Sequence, residues 1–211
     1  MEEILEELEC VSDEDQKTGF DWFSKFDHSV PVWNGKKSKP RVIFLDIDGV
    51  LNYEKWRKNQ TKYFEKGGFK SNIEPVDERK VKLISKIIRK TGAKVVLSSS
   101  WRFILNGDNP LYWQKGSRVN RVKLLFSKHK IKISDRTGFD FVSSDKKMWG
   151  REFEIHSYLQ KHPEIKKYAI IDDAKEELEI FLNTPQMFLT KYDEEGITGK
   201  QADEIIKYLN S

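Results

Sequence analysis

The sequence predicts an α/β protein, a Rossmann-like three-layer sandwich in which a central, mainly parallel five-stranded sheet lies between helices. Two observations carry this. From residue 41 onward, short apolar runs alternate with amphipathic stretches of helical period, and that alternation builds parallel sheets covered on both faces. Several of these apolar runs also end abruptly in serines or aspartates. Sites on such sheets lie beyond the carboxyl ends of the strands.

Strands are expected at 41–46, 94–98, 131–134, 168–172 and 186–190, and helices at 77–91, 118–129, 150–161, 174–183 and 199–209. Val42-Ile43-Phe44-Leu45 is an unbroken apolar run, as a strand buried on both faces requires. Val95-Val96-Leu97 and Tyr168-Ala169-Ile170-Ile171 repeat the pattern. In the first helix Val81, Ile84, Ile87 and Ile88 recur at helical spacing with Lys and Arg between them. The last helix opens with Thr198 and Gln201, a capping-box pair.

Two long connections, 52–76 and 103–117, leave the carboxyl edge of the sheet, where long loops form lids or substrate walls. At about 15–25 residues they are too short to be a cap domain with its own core. Residues 40–211 are therefore read as one domain with two short inserts. Residues 1–39 precede it as an acidic arm and a connecting segment. Phe20, Trp22, Phe23, Phe26 and Trp33 are too many aromatics for a free linker.

Composition narrows the class. No apolar stretch approaches the roughly 18–20 residues that span a bilayer, so no membrane role is expected. The acidic start MEEILEELEC resembles neither a secretory signal nor a transit peptide. Cys10 is the only cysteine, which rules out an internal disulfide and fits a reducing, cytoplasmic setting. Residues 1–16 hold eight acidic side chains and no Lys or Arg, so the rest of the chain carries about +12. A basic body suits an anionic substrate or partner, nucleic acid included; a solvated, lysine-rich surface accounts for the same charge.

The chemistry concentrates where the apolar runs stop. The first runs into Asp46-Ile47-Asp48-Gly49. Two carboxylates at the end of a buried strand repel unless a cation or a shared proton offsets them, and a divalent metal with hard oxygen ligands, Mg2+, is the simplest solution. The chain is therefore read as a metal-dependent phosphoryl-transfer enzyme with Asp46 as nucleophile. The second run leads into Ser98-Ser99-Ser100-Trp101-Arg102 and the fourth into Asp172-Asp173, while Arg151 opens the helix between them.

In this order the residues resemble the haloacid dehalogenase (HAD) superfamily of phosphohydrolases. The closer resemblance is to small proteins with LDIDGVLN, SSSWR, RGxEI and IIDD signatures, relatives of which are fused to RNA-repair enzymes. It covers roughly 41–208, with one departure: Glu152 stands where RGxEI has glycine. The resemblance implies that Asp46 attacks phosphorus to form an aspartyl-phosphate, and that Asp48 protonates the leaving oxygen and then deprotonates water. Mg2+ would be held by Asp46, Asp48 (through its backbone carbonyl), Asp172 and Asp173, with Asp173 favoured as the direct ligand. Ser99 would hold phosphoryl oxygens, with Ser98, Ser100 and Arg102 as further substrate contacts and Gly49 allowing the sharp turn. Arg151 would neutralise transition-state charge, Lys146 and Lys147 standing as alternatives for that cation.

The expected function is Mg2+-dependent hydrolysis of a phosphorylated substrate, a nucleotide or a nucleic-acid terminal phosphate. Arg102, Lys115, Arg118, Arg121, Lys123, Lys128 and Lys130 lie near Tyr112 and Trp113, a mixture that holds phosphates and stacks bases; a solvated helix face over a small lid gives the same composition. The alternative is a non-catalytic or protein-directed HAD-fold module, a phosphoprotein phosphatase or adaptor, that uses the N-terminal arm for partner binding.

Overall fold

In the computed structural model the described residues are 40–65, 75–102, 118–138 and 150–211. The acidic arm and aromatic segment, the 103–117 insert, Lys146 and Lys147 lie outside them. Strands β1 (Arg41–Leu45), β2 (Lys94–Leu97), β3 (Ile133–Arg136), β4 (Lys167–Asp172) and β5 (Met187–Leu189) form one sheet in the order β3-β2-β1-β4-β5, with every pair parallel. Helices α1 (Glu54–Glu65), α2 (Glu78–Thr91), α3 (Arg118–Lys128), α4 (Arg151–Lys161) and α5 (Gly199–Asn210) accompany it.

Alternation along the strands separates two apolar layers. Ile43, Leu45, Val95, Leu97, Ala169 and Ile171 join Val81, Ile84 and Ile87 of α2, Val122 and Phe126 of α3, and Ile205 and Leu209 of α5. Val42, Phe44, Val96 and Ile170 instead join Ile155 of α4 with Ile165, Leu178 and Phe181. Right-handed crossovers explain the division. The steps β1 to β2 to β3 run one way and place α2 and α3 on one face; the return to β4 places α4 on the other.

Register then sets the site. Leu45 is level with Leu97 on β2 and with Ile171 on β4, so β1 and β2 stop at one height and β4 one residue beyond it. Asp46 N–H donates to the Ile171 carbonyl at 3.0 Å, and Ser98 N–H to the Leu45 carbonyl at 2.9 Å. The chain builds outward from β1 in both directions, so the carboxyl end of β1 is the topological switch point where such sheets open a crevice.

Three segments differ from expectation. β3 begins two residues later than 131, because Ile131 closes α3 in a Schellman motif. Lys130 adopts φ 57°, Ile131 N–H donates to the Phe126 carbonyl at 2.9 Å, and Lys130 N–H to that of Ser127 at 3.0 Å. Residues 174–183 are not an α-helix but two 3-10 turns, Lys175–Glu177 and Glu179–Phe181. Leu178 and Phe181 are buried three residues apart, the repeat of a 3-10 turn rather than an α-helix. Within the 52–76 insert the chain forms α1, anchored by buried Tyr53 and Trp56. The capping box at α5 is present, with Gln201 N–H on Thr198 Oγ1 at 3.1 Å and Thr198 N–H on Gln201 Oε1 at 3.0 Å. Among the described residues no helix is long and apolar enough to cross a membrane.

Candidate active site

Asp46 follows β1 directly and is buried. Arg151, in the first turn of α4, places Nη1 2.8 Å from Asp46 Oδ2 and 2.7 Å from Asp172 Oδ2, with Nε 3.6 Å from Glu177. Asp173 completes the group: one carboxylate oxygen from each of Asp46, Asp172 and Asp173 lies within 4.8 Å of the others. Asp46 and Asp172 thus share one guanidinium, and Asp173 lies within the influence of its charge. Burial pushes the Asp46 carboxyl up, against the opposing pull of Arg151 and of a hydrogen bond from Ser99. Burial, and then the Asp46 charge, push Asp172 up to about 7 and Asp173 up to about 6. A hard-oxygen donor set with uncompensated negative charge fits a hard divalent cation, so this cluster could hold a metal.

Gly49 makes room for it. Its φ is +70°, and a Cβ there would fall 1.9 Å from Asp173 Oδ2 and 2.0 Å from Asp173 Cγ. Any side chain at 49 must therefore displace the Asp173 carboxylate as well as bear a left-handed backbone, at a cost of about 1–2 kcal/mol. Gly49→Ala is expected to fold, and if the cluster holds Mg2+ its melting temperature should rise far less with added Mg2+ than that of the wild type. An undiminished rise would show that Asp173 is not needed for metal binding.

Asp48 is set apart from the cluster, with its side chain 42% exposed. Its Oδ1 accepts Asn52 Nδ2 at 2.7 Å and Arg57 Nη2 at 3.3 Å, and its Oδ2 accepts Trp101 Nε1 at 2.8 Å. Asn52 also closes the turn: its Oδ1 accepts Gly49 N–H at 3.3 Å, and its Nδ2 reaches the Pro75 carbonyl at 3.2 Å.

Past β2, the three serines have different surroundings. Ser99 is fully buried and its hydroxyl bonds Asp46. Ser98 is buried, and its hydroxyl has no hydrogen-bond partner among the described residues. Ser100 is exposed. Arg102, expected as a substrate contact, instead reaches into the protein: Nη1 donates to the Ser99 carbonyl at 3.1 Å, and Nη2 to Glu154 Oε1 at 2.5 Å. The other Glu154 oxygen accepts the Thr137 hydroxyl at 3.3 Å. Glu152, in place of the motif glycine, accepts Ile180 N–H at 3.1 Å and leaves Arg151 directed at Asp46 and Asp172.

The structure therefore gathers Asp46, Ser99, Arg151, Asp172 and Asp173 around one point, with Gly49 against Asp173 and Asp48 nearer the solvent. Asn52, Arg57 and Trp101 contact Asp48, Glu177 contacts Arg151, and Glu154 contacts Arg102; the sequence reading gives none of the five a role. Asn52, Trp101 and Glu154 stand inside the LDIDGVLN, SSSWR and RGxEI strings, so a signal was present for them. Arg57 and Glu177 had none.

Neither a curated protein nor a solved structure matches the chain. A family model does match, over residues 42–202, a span that takes in β1 but for Arg41, all of β2 through β5, Arg151 and all three clustered aspartates. The chain belongs to the haloacid dehalogenase family described as the HAD domain in Swiss Army Knife RNA repair proteins.

Proposed function

We propose that this protein is a Mg2+-dependent phosphomonoester hydrolase that acts through an aspartyl-phosphate on Asp46, with residues 40–211 as the catalytic domain. Membership of the family supports a HAD-type phosphohydrolase and a phosphorylated substrate. The observation that carries the finer reading is the buried Asp46 carboxylate, at the switch point of the sheet, sharing Arg151 with Asp172 beside Asp173.

An Asp46 oxygen attacks phosphorus, and the bond from phosphorus to the leaving oxygen breaks as Asp48 gives that oxygen a proton. The Ser99 hydroxyl and the Arg151 guanidinium meet the charge that spreads over the phosphoryl oxygens. Water then attacks the aspartyl-phosphate, its proton passes to Asp48, and Asp46 is released as carboxylate. Mg2+, held by Asp46, Asp173 and the Asp48 carbonyl with Asp172 behind them, would neutralise the crowded charge and polarise the phosphoryl group. Arg102 acts from beneath, holding the Ser99 backbone rather than the substrate. A nucleotide or nucleic-acid terminal phosphate is the substrate class favoured by the basic balance of residues 17–211 and by the family's description.

The test is phosphate release from an aryl phosphate and from 3′- and 5′-phosphorylated oligonucleotides, with Mg2+ or with chelator, followed by acid quench of a radiolabelled reaction. Metal-dependent release with alkali-labile label on the Asp46 peptide is expected. Release without label at Asp46 would remove it as nucleophile, and no release from any substrate would sink the hydrolase reading.

A further inference from the structure

We infer that Trp101 is a positioning residue whose indole N–H fixes Asp48 Oδ2 as the oxygen that exchanges the proton with the leaving group. The inference rests on the hydrolase reading and on the distribution of donors around Asp48. A carboxylate oxygen carries two lone pairs. On Oδ1 both are engaged, by Asn52 Nδ2 at 2.7 Å and Arg57 Nη2 at 3.3 Å. Oδ2 receives Trp101 Nε1 at 2.8 Å and keeps one lone pair open among the described residues. Proton transfer from Asp48 therefore runs through Oδ2, and its direction is set by the bond from Trp101.

Trp101 is built to hold that direction. The residue is buried, and its ring belongs to the apolar layer beneath β1 and β2. Its backbone N–H lies 3.4 Å from the Ser99 hydroxyl oxygen, the same hydroxyl that bonds Asp46. A single residue thus spans the nucleophile's serine and the acid–base carboxylate. As the bond between phosphorus and the leaving oxygen breaks, its electron pair stays on that oxygen and the proton on Oδ2 moves to it. In the second half-reaction the proton of the attacking water returns to Oδ2.

Trp101→Phe keeps most of the ring and deletes the N–H. The readout is kcat/KM on two substrates, since this parameter reports on the step in which the leaving group departs. One is 4-nitrophenyl phosphate, whose leaving oxygen needs no proton; the other is a simple alkyl phosphate or nucleoside 5′-monophosphate, whose leaving oxygen does. The alkyl substrate is expected to lose roughly 10- to 100-fold and the aryl substrate less than about 5-fold. Asp48→Asn should show the same bias, larger. Equal losses on both substrates overturn the positioning role while leaving the hydrolase reading intact. A wild type that turns over neither substrate removes that reading and this inference together. A second measurement needs no turnover: the Trp101 indole N–H resonance should move upfield in Asp48→Ala, and an unmoved resonance overturns the bond on which the inference depends.

Discussion

Asp46→Asn is expected to remove turnover, by about 10⁴-fold or more, and at the same time to stabilise the metal-free protein above neutral pH. The first effect follows from chemistry, since an amide is too weak a nucleophile to attack phosphorus. The second follows from crowding. Asp46 is buried against Asp172 and Asp173, with Arg151 as the cation among them. Burial raises the Asp46 carboxyl, and burial together with Asp46 raises Asp172 to about 7 and Asp173 to about 6. Between the ordinary carboxylate range near pH 4 and about pH 7, the folded chain therefore holds more protons than the unfolded one. Stability contributed by these groups is complete below about pH 4 and is lost as pH rises through 7.

Asparagine at 46 removes one of the three charges and keeps groups of the right shape for Arg151 and Ser99. The Asp46 charge is also the second-largest cause of the rise at both Asp172 and Asp173, so their carboxyls should fall back toward the ordinary range. The gain at pH 8 is on the order of 1–3 kcal/mol, or about 2–10 °C in melting temperature. Thermal melts in chelator at pH 5 and pH 8 check this, and the gap between variant and wild type should widen with pH. A variant that melts below wild type at pH 8 would contradict the crowding account. Saturating Mg2+ should favour the wild type again, because a ligand that binds only the folded state raises its stability by mass action.

How much of this was legible in the sequence depends on how far each side chain must reach. Asp46, Ser98 and Asp172 come to one edge because each ends an apolar run, and β1, β2 and β4 end within one residue of the same height. Local pattern and the rules of parallel sheets are enough to bring them together. Arg102 was different. Beside three serines it reads as a cation for phosphate, but its direction is set by Glu154, far along the chain on α4, and by burial that no local window displays. The donors around Asp48 were legible only in part: Asn52 and Trp101 stand inside the motif strings, but their bonds to Asp48, and Arg57 altogether, depend on how the turn after β1, α1 and the segment after β2 meet in space. The segment after β4 forms 3-10 turns where the sequence predicts a helix, because Asp172 and Asp173 alter its start. Asp172 Oδ1 takes Ala174 N–H at 2.9 Å, and the Asp173 carbonyl takes Lys175 N–H at 2.9 Å.

Glu154→Leu is expected to cost about 3–5 kcal/mol of stability, whereas the double variant Arg102→Met/Glu154→Leu should cost no more than about 2 kcal/mol. Both partners are inside the protein, with side chains 6% and 15% exposed, and the bond joins the turn after β2 to α4. Burial is the largest influence on each, pulling the Arg102 guanidinium down and the Glu154 carboxyl up, each toward its neutral form. Desolvation thus outweighs attraction on both sides, and the intact pair contributes little beyond what apolar groups of similar volume would. Removing one partner is another matter, because it takes away the bond to Glu154 while the Arg102 charge stays buried near Arg151. The double variant relieves that charge and loses mainly the bond to the Ser99 carbonyl, worth about 1 kcal/mol. Denaturant melts of the two single variants and the double variant decide the point. Costs that simply add would show the two residues to be uncoupled. Coupling of about 2 kcal/mol or more would show that Arg102 and Glu154 act as one brace. Such a brace has a consequence at the site: Glu154 lies one helical turn from Arg151, and Arg102 grips the backbone of Ser99, so one buried bond sets the spacing of the two groups proposed to hold the phosphoryl oxygens.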